Sequence, residues 1–400
     1  MTPVARHTDT DCRGERILVV CTQYIGDTLL AIPFLRNLRR THPAAVIDVC
    51  AQGAARAVLA SCPYVDELVP WQRPGRESRG SISGAVAGVA AQAAWLRLRR
   101  YAKAYLLKPS FSAAALALLA GIPQRVGFAG ESSVLLTRRV RRRRGRHQVE
   151  TYLDLLRAEH LAVDDGHNEN WVSPQAVSRV ATIVDRLPAG RTRVFVAMRS
   201  TDALKHWDIN RWRRLVHWLV EERGCEIVLS GGPADVAAHQ AFRESVGAVA
   251  AHVHDLSQAV PLADTAALAA RMHLCIGVDT GLVHLSASVG VPAVVLVGPT
   301  DPNRWSPWRI PCAVLRSPRV QRSLAERWLT AMGATDHLRW PLGSAAVDDI
   351  PYEDVGAAVS GFLPAPLAVR TLDLTRDGFR YEVVSQPAAS VSPALSTAVD

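Results

Sequence analysis

The sequence predicts an α/β protein in which short buried strands of parallel sheets alternate with helices. Leu274–Val278 and Ala293–Val297 are apolar, rich in β-branched residues and too short for buried helices. Between them, Thr280–Val289 has small and apolar residues at helical spacing. Near the N-terminus, the apolar runs Arg16–Cys21 and Ala45–Ala51 flank another helical segment, which makes the same pattern.

The turn Asp279-Thr280-Gly281 follows a predicted strand and opens a predicted helix. In open α/β sheets, ligands bind at this edge, where backbone N–H groups and the helix dipole favour an anion such as a diphosphate. Asp279 would repel that anion, so it suits a hydroxyl of a ribose or sugar. The alternative is purely structural, with Asp279 as a helix cap and Gly281 as a turn residue.

Length and composition predict a soluble protein of two domains. The chain has 400 residues, 48% of them hydrophobic and 21% charged, which is more than a single core usually holds. The seven cysteines include no C-x-x-C pair, so a disulfide framework or zinc site is not expected. Residues 1–15 lack the apolar core of a signal peptide, and Ile82–Leu96 is too short to span a bilayer. We therefore expect a cytoplasmic protein.

The net charge of +9 comes almost wholly from arginine, since only three of the 46 basic residues are lysines. A basic surface suits nucleic acid, an anionic membrane or an acidic substrate. No helix-turn-helix, RRM or zinc-finger pattern is present, so nucleic acid is not expected as a partner. The run Arg138–Arg146 is interpreted as a solvated basic loop, or alternatively as a contact for an acidic acceptor or anionic lipid headgroups.

The first half predicts a Rossmann-like domain, because it begins with a βαβαβ pattern. Its first turn is not G-x-G-x-x-G but carries Gly26-Asp27 at the mouth of the sheet. A carboxylate there is placed to accept a proton from a substrate hydroxyl. Alternatively, Asp27 is only the N-cap of a helix predicted over Leu29–Arg40. Lys108-Pro-Ser110 follows the predicted strand Ala104–Leu107 and is expected on the same rim.

In the second half, the predicted strand Arg193–Met198 leads into a loop with Ser200, Thr201 and Lys205. This loop is expected to face the Asp279 turn, so that several strand ends converge on a point suited to a nucleotide diphosphate. Lys205 is notable because a compact ammonium acts as a point charge on a phosphate oxygen. Chance retention of a lysine on a surface loop is the alternative.

Taken together, the motifs resemble glycosyltransferase family 9, the bacterial ADP-heptose–lipopolysaccharide heptosyltransferases. The resemblance covers about residues 16–362 and depends on these segments in order: Gly26-Asp27, Lys108-Pro-Ser-Phe-Ser112, Gly121-Ile-Pro-Gln-Arg-Val-Gly127, Lys205-His206-Trp207, Asp279-Thr-Gly-Leu-Val-His284 and Gly298-Pro-Thr-Asp-Pro-Asn-Arg-Trp305.

The resemblance implies a GT-B fold of two Rossmann-like domains facing across a cleft. The domain prediction is an acceptor domain at 16–175, a nucleotide-sugar domain at 176–345 and a C-terminal helix at 346–363. Outside the resemblance, composition predicts a polar leader at 1–15 and an appendage at 364–400 that is partly disordered. Two further helices are predicted, over Arg319–Leu338 and Tyr352–Phe362.

The family pattern also implies an inverting glycosyl transfer. Asp27 would be the general base, and acceptor contacts are expected at Gly26, Lys108 and Ser110. The donor would be held by Ser200, Thr201, Lys205, Asp279, Thr280, Gly281 and His284. No metal or cofactor is implied, because lysine and a helix N-terminus would stabilise the leaving group. The only D-x-D, Asp9-Thr-Asp11, lies in the leader.

The expected partners are a nucleotide sugar, with ADP-heptose the first choice, a glycan or glycolipid acceptor and the anionic inner face of a membrane. Departures from the family pattern at Gln23 and Ala203-Leu204 leave another nucleotide sugar, used on a natural product or protein, as an alternative. Two further alternatives are a non-hydrolysing nucleotide-sugar epimerase and a non-catalytic nucleotide-sugar-binding subunit.

Overall fold

A computed structural model describes residues 14–21, 24–70, 82–130, 132–164, 166–316 and 347–363, together with three short strands nearer the C-terminus. The chain forms two compact units. Unit 1 comprises Met1–Gln23, Ala31–Arg144 and Val149–Gly166, and unit 2 comprises Tyr24–Leu30, Gly145–Gln148 and His167–Asp400. Each unit contains one six-stranded sheet whose strands all pair in parallel, as predicted for an α/β protein.

In the first half of the chain, the strands are β1 (Arg16–Val20), β2 (Val46–Ala51), β3 (Glu67–Pro70), β4 (Lys103–Leu106), β5 (Gln124–Phe128) and β6 (Arg138–Val140). The helices are α1 (Ile25–Leu29), α2 (Ile32–Thr41), α3 (Ala54–Leu59), α4 (Ile82–Leu98), α5 (Phe111–Leu119) and α6 (Gln148–Ala158), with a 3-10 turn at Ser133–Leu135.

In the second half, the strands are β7 (Asn170–Val172), β8 (Thr192–Ala197), β9 (Cys225–Leu229), β10 (Val253–Asp255), β11 (Leu274–Val278), β12 (Ala293–Val297) and β13 (Cys312–Arg316). The helices are α7 (Pro174–Val184), α8 (Ile209–Glu221), α9 (Val236–Ser245), α10 (Thr265–Ala269), α11 (Gly281–Ser288), α12 (Pro302–Trp305) and α13 (Tyr352–Ser360), with 3-10 turns at Ala203–Lys205, Gly247–His252, Leu262–Asp264 and Val347–Asp349.

Both sheets have the Rossmann strand order, which confirms the two predicted Rossmann-like halves. The order is β3-β2-β1-β4-β5-β6 in unit 1 and β10-β9-β8-β11-β12-β13 in unit 2. In each sheet the order reverses between the first and fourth strands, which is where ligands of such sheets bind. These switch points lie at the carboxyl ends of β1 and β4 and of β8 and β11.

The sheet of unit 2 is buried on both faces, which explains its continuous apolar strands. Val194, Ile276 and Val294 are fully buried. Helix α8 covers one face, and its N-terminus is capped by Asp208, whose carboxylate accepts hydrogen bonds from two backbone N–H groups. Trp207 Nε1 donates to the Ile350 carbonyl over 2.9 Å and joins the start of α8 to the C-terminal helical region.

The strands β11 and β12 have the bounds predicted from sequence, whereas the first predicted helix is wrong. Leu29–Arg40 is not one helix, because α1 ends at Leu29 and α2 begins at Ile32. Pro33 lies in the first turn of α2, where its missing N–H costs nothing and its fixed φ is favourable. The interpretation of Arg138–Arg146 as a loop is also wrong at its start, since β6 forms the edge of the first sheet.

Several predicted segments lie outside the described residues: most of the leader, the helix at Arg319–Leu338 and most of the appendage. Within the appendage, β14 (Thr375–Arg376) pairs with β15 (Phe379–Arg380), and β16 (Leu395–Thr397) pairs in parallel with β7. Strand β16 lies within the appendage that the sequence predicts to be partly disordered. Among the described helices, none is long and apolar enough to cross a membrane.

We predict that Gly277→Ala destabilises unit 2. A Cβ at Gly277 would lie 2.8 Å from Ala197 Cβ and 2.9 Å from the Ala197 carbonyl oxygen, so strand β8 itself would have to shift. Overpacking of this kind costs about 1–3 kcal/mol. Urea unfolding would measure it. Gly356→Ala is the matched control, because no atom lies within 4 Å of its Cβ and alanine favours α13 by about 0.5–1 kcal/mol. Equal stability of Gly277→Ala and wild type would contradict the prediction.

Candidate active site

The Asp279 turn has the predicted position between β11 and α11. The backbone N–H of Asp279 donates to the Leu296 carbonyl over 3.0 Å, which extends the sheet pairing by one residue. Thr280 is the N-cap of α11, and Gly281 is the first helical residue. The alternative in which Asp279 caps its own helix is therefore wrong, and its carboxylate is directed to other partners.

Lys205 and Asp279 form a buried ion pair. Lys205 Nζ lies 2.6 Å from Asp279 Oδ2 and 3.4 Å from the Asp279 carbonyl oxygen. Asp279 is 7% exposed, and the Lys205 side chain is 21% exposed. An ammonium has three N–H donors, so one donor of Lys205 remains for a ligand oxygen. The structure thus brings together two residues that the sequence placed on separate strand ends.

The charge on Asp279 is stabilised by its surroundings. Burial alone would raise the pKa of Asp279, but His284 and the Lys205 ammonium together hold that pKa well below its usual range. His284 Nε2 lies 3.8 Å from Asp279 Oδ1, which is longer than a hydrogen bond. His284 Nδ1 is buried and has no hydrogen-bond partner among the described residues.

Helix α1, which carries Asp27, packs closely against α11 within unit 2. Two glycines make this approach possible. A Cβ at Gly26 would lie 2.8 Å from His284 Cδ2, and a Cβ at Gly281 would lie 2.6 Å from Ile25 Cβ. Both distances are shorter than real Cβ contacts, so only glycine fits at either position.

Asp27 is half-buried and lies in the first turn of α1, one residue after the glycine that contacts His284. The interpretation of Asp27 as an N-cap is wrong, because Tyr24 occupies the N-cap of α1. The structure therefore places Asp27, Gly26, Gly281 and His284 on two helices in direct contact.

Ser200 and Thr201 lie in the loop between β8 and the 3-10 turn that ends at Lys205. His206 Nε2 lies 2.8 Å from the Ser200 carbonyl oxygen, and the Asp202 N–H donates to Ser200 Oγ over 3.3 Å. These bonds fold the loop back on itself. Thr201 is exposed, so its hydroxyl is accessible to a ligand.

A second ion pair near this loop was not predicted. Arg199 Nε donates to Asp235 Oδ1 over 3.1 Å, and Asp235 Oδ2 accepts from the Gly232 N–H over 2.9 Å. Arg199 follows β8 and Asp235 follows β9, so both lie beyond carboxyl ends of neighbouring strands. That placement was the signal in the sequence that could have identified the pair.

Gly145–Gln148 is a second short segment that groups with unit 2, which sequence reasoning did not find. The His147 ring stacks on Trp308 with 4.2 Å between centroids, and His147 Nε2 lies 2.9 Å from the Ser306 carbonyl oxygen. Arg304 Nε donates to Gln148 Oε1 over 2.8 Å. These contacts order the Gly298–Trp305 motif and the residues that follow it.

Lys108 and Ser110 belong to unit 1 and lie beyond the carboxyl end of β4, which pairs with β1. Ser110 is the N-cap of α5, and its Oγ accepts from the Ala113 N–H over 3.4 Å and lies 2.9 Å from Ser112 Oγ. Both residues therefore lie at the switch point of the first sheet.

We predict that the Lys205–Asp279 pair stabilises the folded protein at neutral pH and loses this effect in acid. Because the pKa of Asp279 is lowered on folding, its carboxylate stabilises the folded state fully above the unfolded pKa of about 3.9. The advantage of wild type over Asp279→Asn, on the order of 3 kcal/mol, should be constant from pH 7 to about pH 5. It should then shrink as the pH falls below about 4.

Urea unfolding of both proteins at successive pH values would measure this difference. Both proteins contain the ion pair between Lys103 and Glu159 in unit 1, whose charged atoms lie 2.8 Å apart. Its contribution to the pH dependence of stability therefore cancels in the comparison. A difference that grows as the pH falls would contradict the prediction.

Comparisons with known proteins relate this chain to a family of glycosyltransferases. The model of glycosyltransferase family 9 (heptosyltransferase) matches residues 90–328. Lipopolysaccharide heptosyltransferase 2 of Escherichia coli (strain K12) is 26% identical over 324 residues, which cover 75% of this chain and 88% of that protein.

Two solved structures are similar in fold. The crystal structure of a family 9 glycosyltransferase from Veillonella parvula DSM 2008 gives a TM-score of 0.73 at 22% identity and covers 90% of this chain and 99% of that chain. The structure of E. coli ADP-heptose lps heptosyltransferase II gives a TM-score of 0.67 at 24% identity and covers 87% of this chain and 98% of that chain. The two Rossmann-like units are accordingly those of the GT-B fold. The family model matches more than half of this chain, so the chain belongs to glycosyltransferase family 9, the heptosyltransferase family.

Proposed function

We propose that this glycosyltransferase moves a heptose from ADP-heptose to a hydroxyl of a lipopolysaccharide core or related glycoconjugate, with inversion at the anomeric carbon and without a metal or cofactor. The donor and acceptor are inferred from family membership and from relatives whose names specify lipopolysaccharide and ADP-heptose. The observation that carries the mechanism is the packing of the Asp27 helix against the helix that follows the Asp279 turn.

Asp27 is the proposed general base. Its carboxylate lies on α1, next to the glycine that touches His284, and is half-buried rather than fully solvated. An oxygen of Asp27 takes the proton of the acceptor hydroxyl as the hydroxyl oxygen forms a bond to the anomeric carbon. The bond between that carbon and the diphosphate oxygen breaks at the same time, so the new bond forms on the opposite face of the sugar.

Lys205 and the N-terminus of α11 are the proposed stabilisers of the leaving diphosphate. The Lys205 ammonium is held on Asp279 with one N–H left over, and the backbone N–H groups at the start of α11 have no partner within the helix. The hydroxyls of Ser200 and Thr201 add donors from the same loop. Preorganised donors of this kind stabilise developing negative charge without rearranging during the reaction.

The remaining donor contacts are proposed at Asp279, Thr280, Gly281 and His284. Asp279 repels phosphate directly, so its role toward the donor is to fix the Lys205 ammonium and to accept hydrogen bonds from sugar hydroxyls. His284 contributes its buried ring beside Asp279 Oδ1. On the acceptor side, the proposed contacts are the backbone of Gly26 and the polar side chains of Lys108 and Ser110.

We predict that Asp27→Asn abolishes transfer while leaving donor binding nearly intact. An amide of similar shape cannot accept the acceptor's proton, so kcat should fall by about 10²–10⁴. Steady-state kinetics with ADP-heptose and a lipopolysaccharide-core acceptor would measure kcat, and calorimetry with ADP would show that the donor site is unchanged. Transfer by the variant at the wild-type rate would remove Asp27 from the mechanism.

Lys205→Ala is expected to weaken ADP binding by about 10–100-fold, because it deletes a charge-assisted contact with the diphosphate. Calorimetry with ADP, UDP and GDP would measure this loss of affinity. It would also identify the nucleobase of the donor, and ADP is expected to bind most tightly. Lys108→Ala is the matched control, since that lysine lies in unit 1 and should leave ADP affinity unchanged. Unchanged affinity in Lys205→Ala, or preference for UDP or GDP, would contradict the corresponding assignment.

A further inference from the structure

Unit 1 exposes several large apolar side chains on α4, on α5 and on the neighbouring 3-10 turn. Nine large apolar side chains are exposed in the part of the chain that the structure describes, and six of them lie on α4, on α5 or on the 3-10 turn that packs against α5: Trp95, Leu98, Phe111, Leu118, Leu119 and Val134. Their exposed fractions run from 37% for Trp95 to 82% for Leu98. Helix α4 packs against α5, and the 3-10 turn packs against α5, so the six exposed side chains lie on three neighbouring elements in one region of unit 1. We call this region the α4–α5 surface.

The outward faces of these helices have almost no charge. Helix α4 contains one ionisable residue, Arg97, and α5 contains none. On α5, Phe111, Ala115 and Leu118 are spaced by four and three residues and therefore share one face. An ordinary surface helix directs polar and charged residues to solvent, so this face is adapted to an environment other than water.

Arginines lie among and around these apolar side chains. Arg97 Nε is 3.9 Å from the Cβ position of Gly121, just beyond α5, and Arg100 is exposed at the end of α4. Arg125 donates to the carbonyls of Leu135 and Ile122, which places its guanidinium between α5 and the 3-10 turn. Among the described residues, none of these three arginines has a carboxylate partner. Arg99 lies over the Trp95 ring, with 4.0 Å between its Cζ and the ring centroid, and is paired with Glu67. The edge of the surface therefore combines one ion pair with arginines that have no carboxylate partner among the described residues, which leaves it positive.

The α4–α5 surface also adjoins the proposed acceptor contacts. Ser110 is the N-cap of α5, and Phe111, its first helical residue, is 57% exposed. A lipid-linked acceptor reaching Lys108 and Ser110 would have its lipid end beside this surface if the membrane lies against it.

We propose that the α4–α5 surface docks on an anionic lipid membrane, with the apolar side chains at the headgroup boundary and the exposed Arg97 and Arg100 facing lipid phosphates. Its connection to a lipid-linked acceptor rests on the proposed function. Apolar faces with basic edges bind anionic bilayers through burial and charge together. A second copy of this chain is the poorer occupant, because self-association would bring arginines against arginines.

Sedimentation with vesicles of phosphatidylglycerol and phosphatidylcholine, without acceptor, tests the proposal. The wild-type protein should bind vesicles rich in phosphatidylglycerol and release them at high salt. A variant with Leu98→Gln, Leu118→Gln and Leu119→Gln should bind at least about tenfold more weakly. Arg97→Gln should weaken binding about fivefold, and Arg100→Gln should do the same, as expected for one basic residue near an anionic surface.

Matched controls lie on unit 2. Val177→Gln with Ile209→Gln removes two exposed apolar side chains, and Arg186→Gln with Arg213→Gln removes two exposed charges, so both should bind vesicles like wild type. A circular dichroism spectrum and a urea unfolding midpoint for unit 1 that match the wild type would show that the triple leucine variant is folded, as expected because the substituted side chains are exposed.

Equal vesicle binding by wild type and the triple leucine variant would overturn the proposal, as would failure of wild type to bind. The proposal would also be overturned if the wild-type protein formed a dimer that the leucine substitutions dissociate, because the surface would then bind a second copy of the chain. The outcome is separable from the proposed function: a protein that binds ADP but no vesicles refutes only the surface, and one that binds vesicles but transfers no sugar refutes only the reaction.

Discussion

The ionised carboxylate of Asp279 is the constraint on which the candidate site depends. A charge that is only 7% exposed must be paired, and Lys205 supplies the partner over 2.6 Å. This pairing fixes the loop after β8 relative to the turn after β11, although the two are far apart in sequence. The same pairing leaves one ammonium donor for a ligand. A single ion pair therefore both builds the site and gives it a positive point charge.

The second constraint is steric. At the contact between α1 and α11, Gly26 and Gly281 leave room for the His284 ring and for Ile25. The two helices are short, so neither has much stability of its own, and packing must hold them in place. The absence of two methyl groups thus determines where the Asp27 carboxylate lies. The site combines an electrostatic requirement on one side with a packing requirement on the other.

The sequence predicted those parts of the structure that depend on local pattern. Strands β11 and β12 were predicted with their exact ends, because fully buried parallel strands are uniformly apolar. The meeting of Lys205 and Asp279 followed from a general rule, since carboxyl ends of neighbouring strands share one edge. Helix α1 was missed because its residues pack against a segment from the other end of the chain. The three-residue strand β10 was missed because its length carries almost no periodic signal.

The membership of Tyr24–Leu30 in unit 2 has a consequence for how the protein is made. During synthesis, α1 leaves the ribosome long before α11 exists, so the helix that bears Asp27 has nothing to dock on until the C-terminal half has folded. Domains usually form one after another as the chain emerges. In this chain the Asp27 carboxylate reaches its final position only after α11 has been synthesised and folded. An unfinished polypeptide therefore has no assembled site with which to act on a nucleotide sugar.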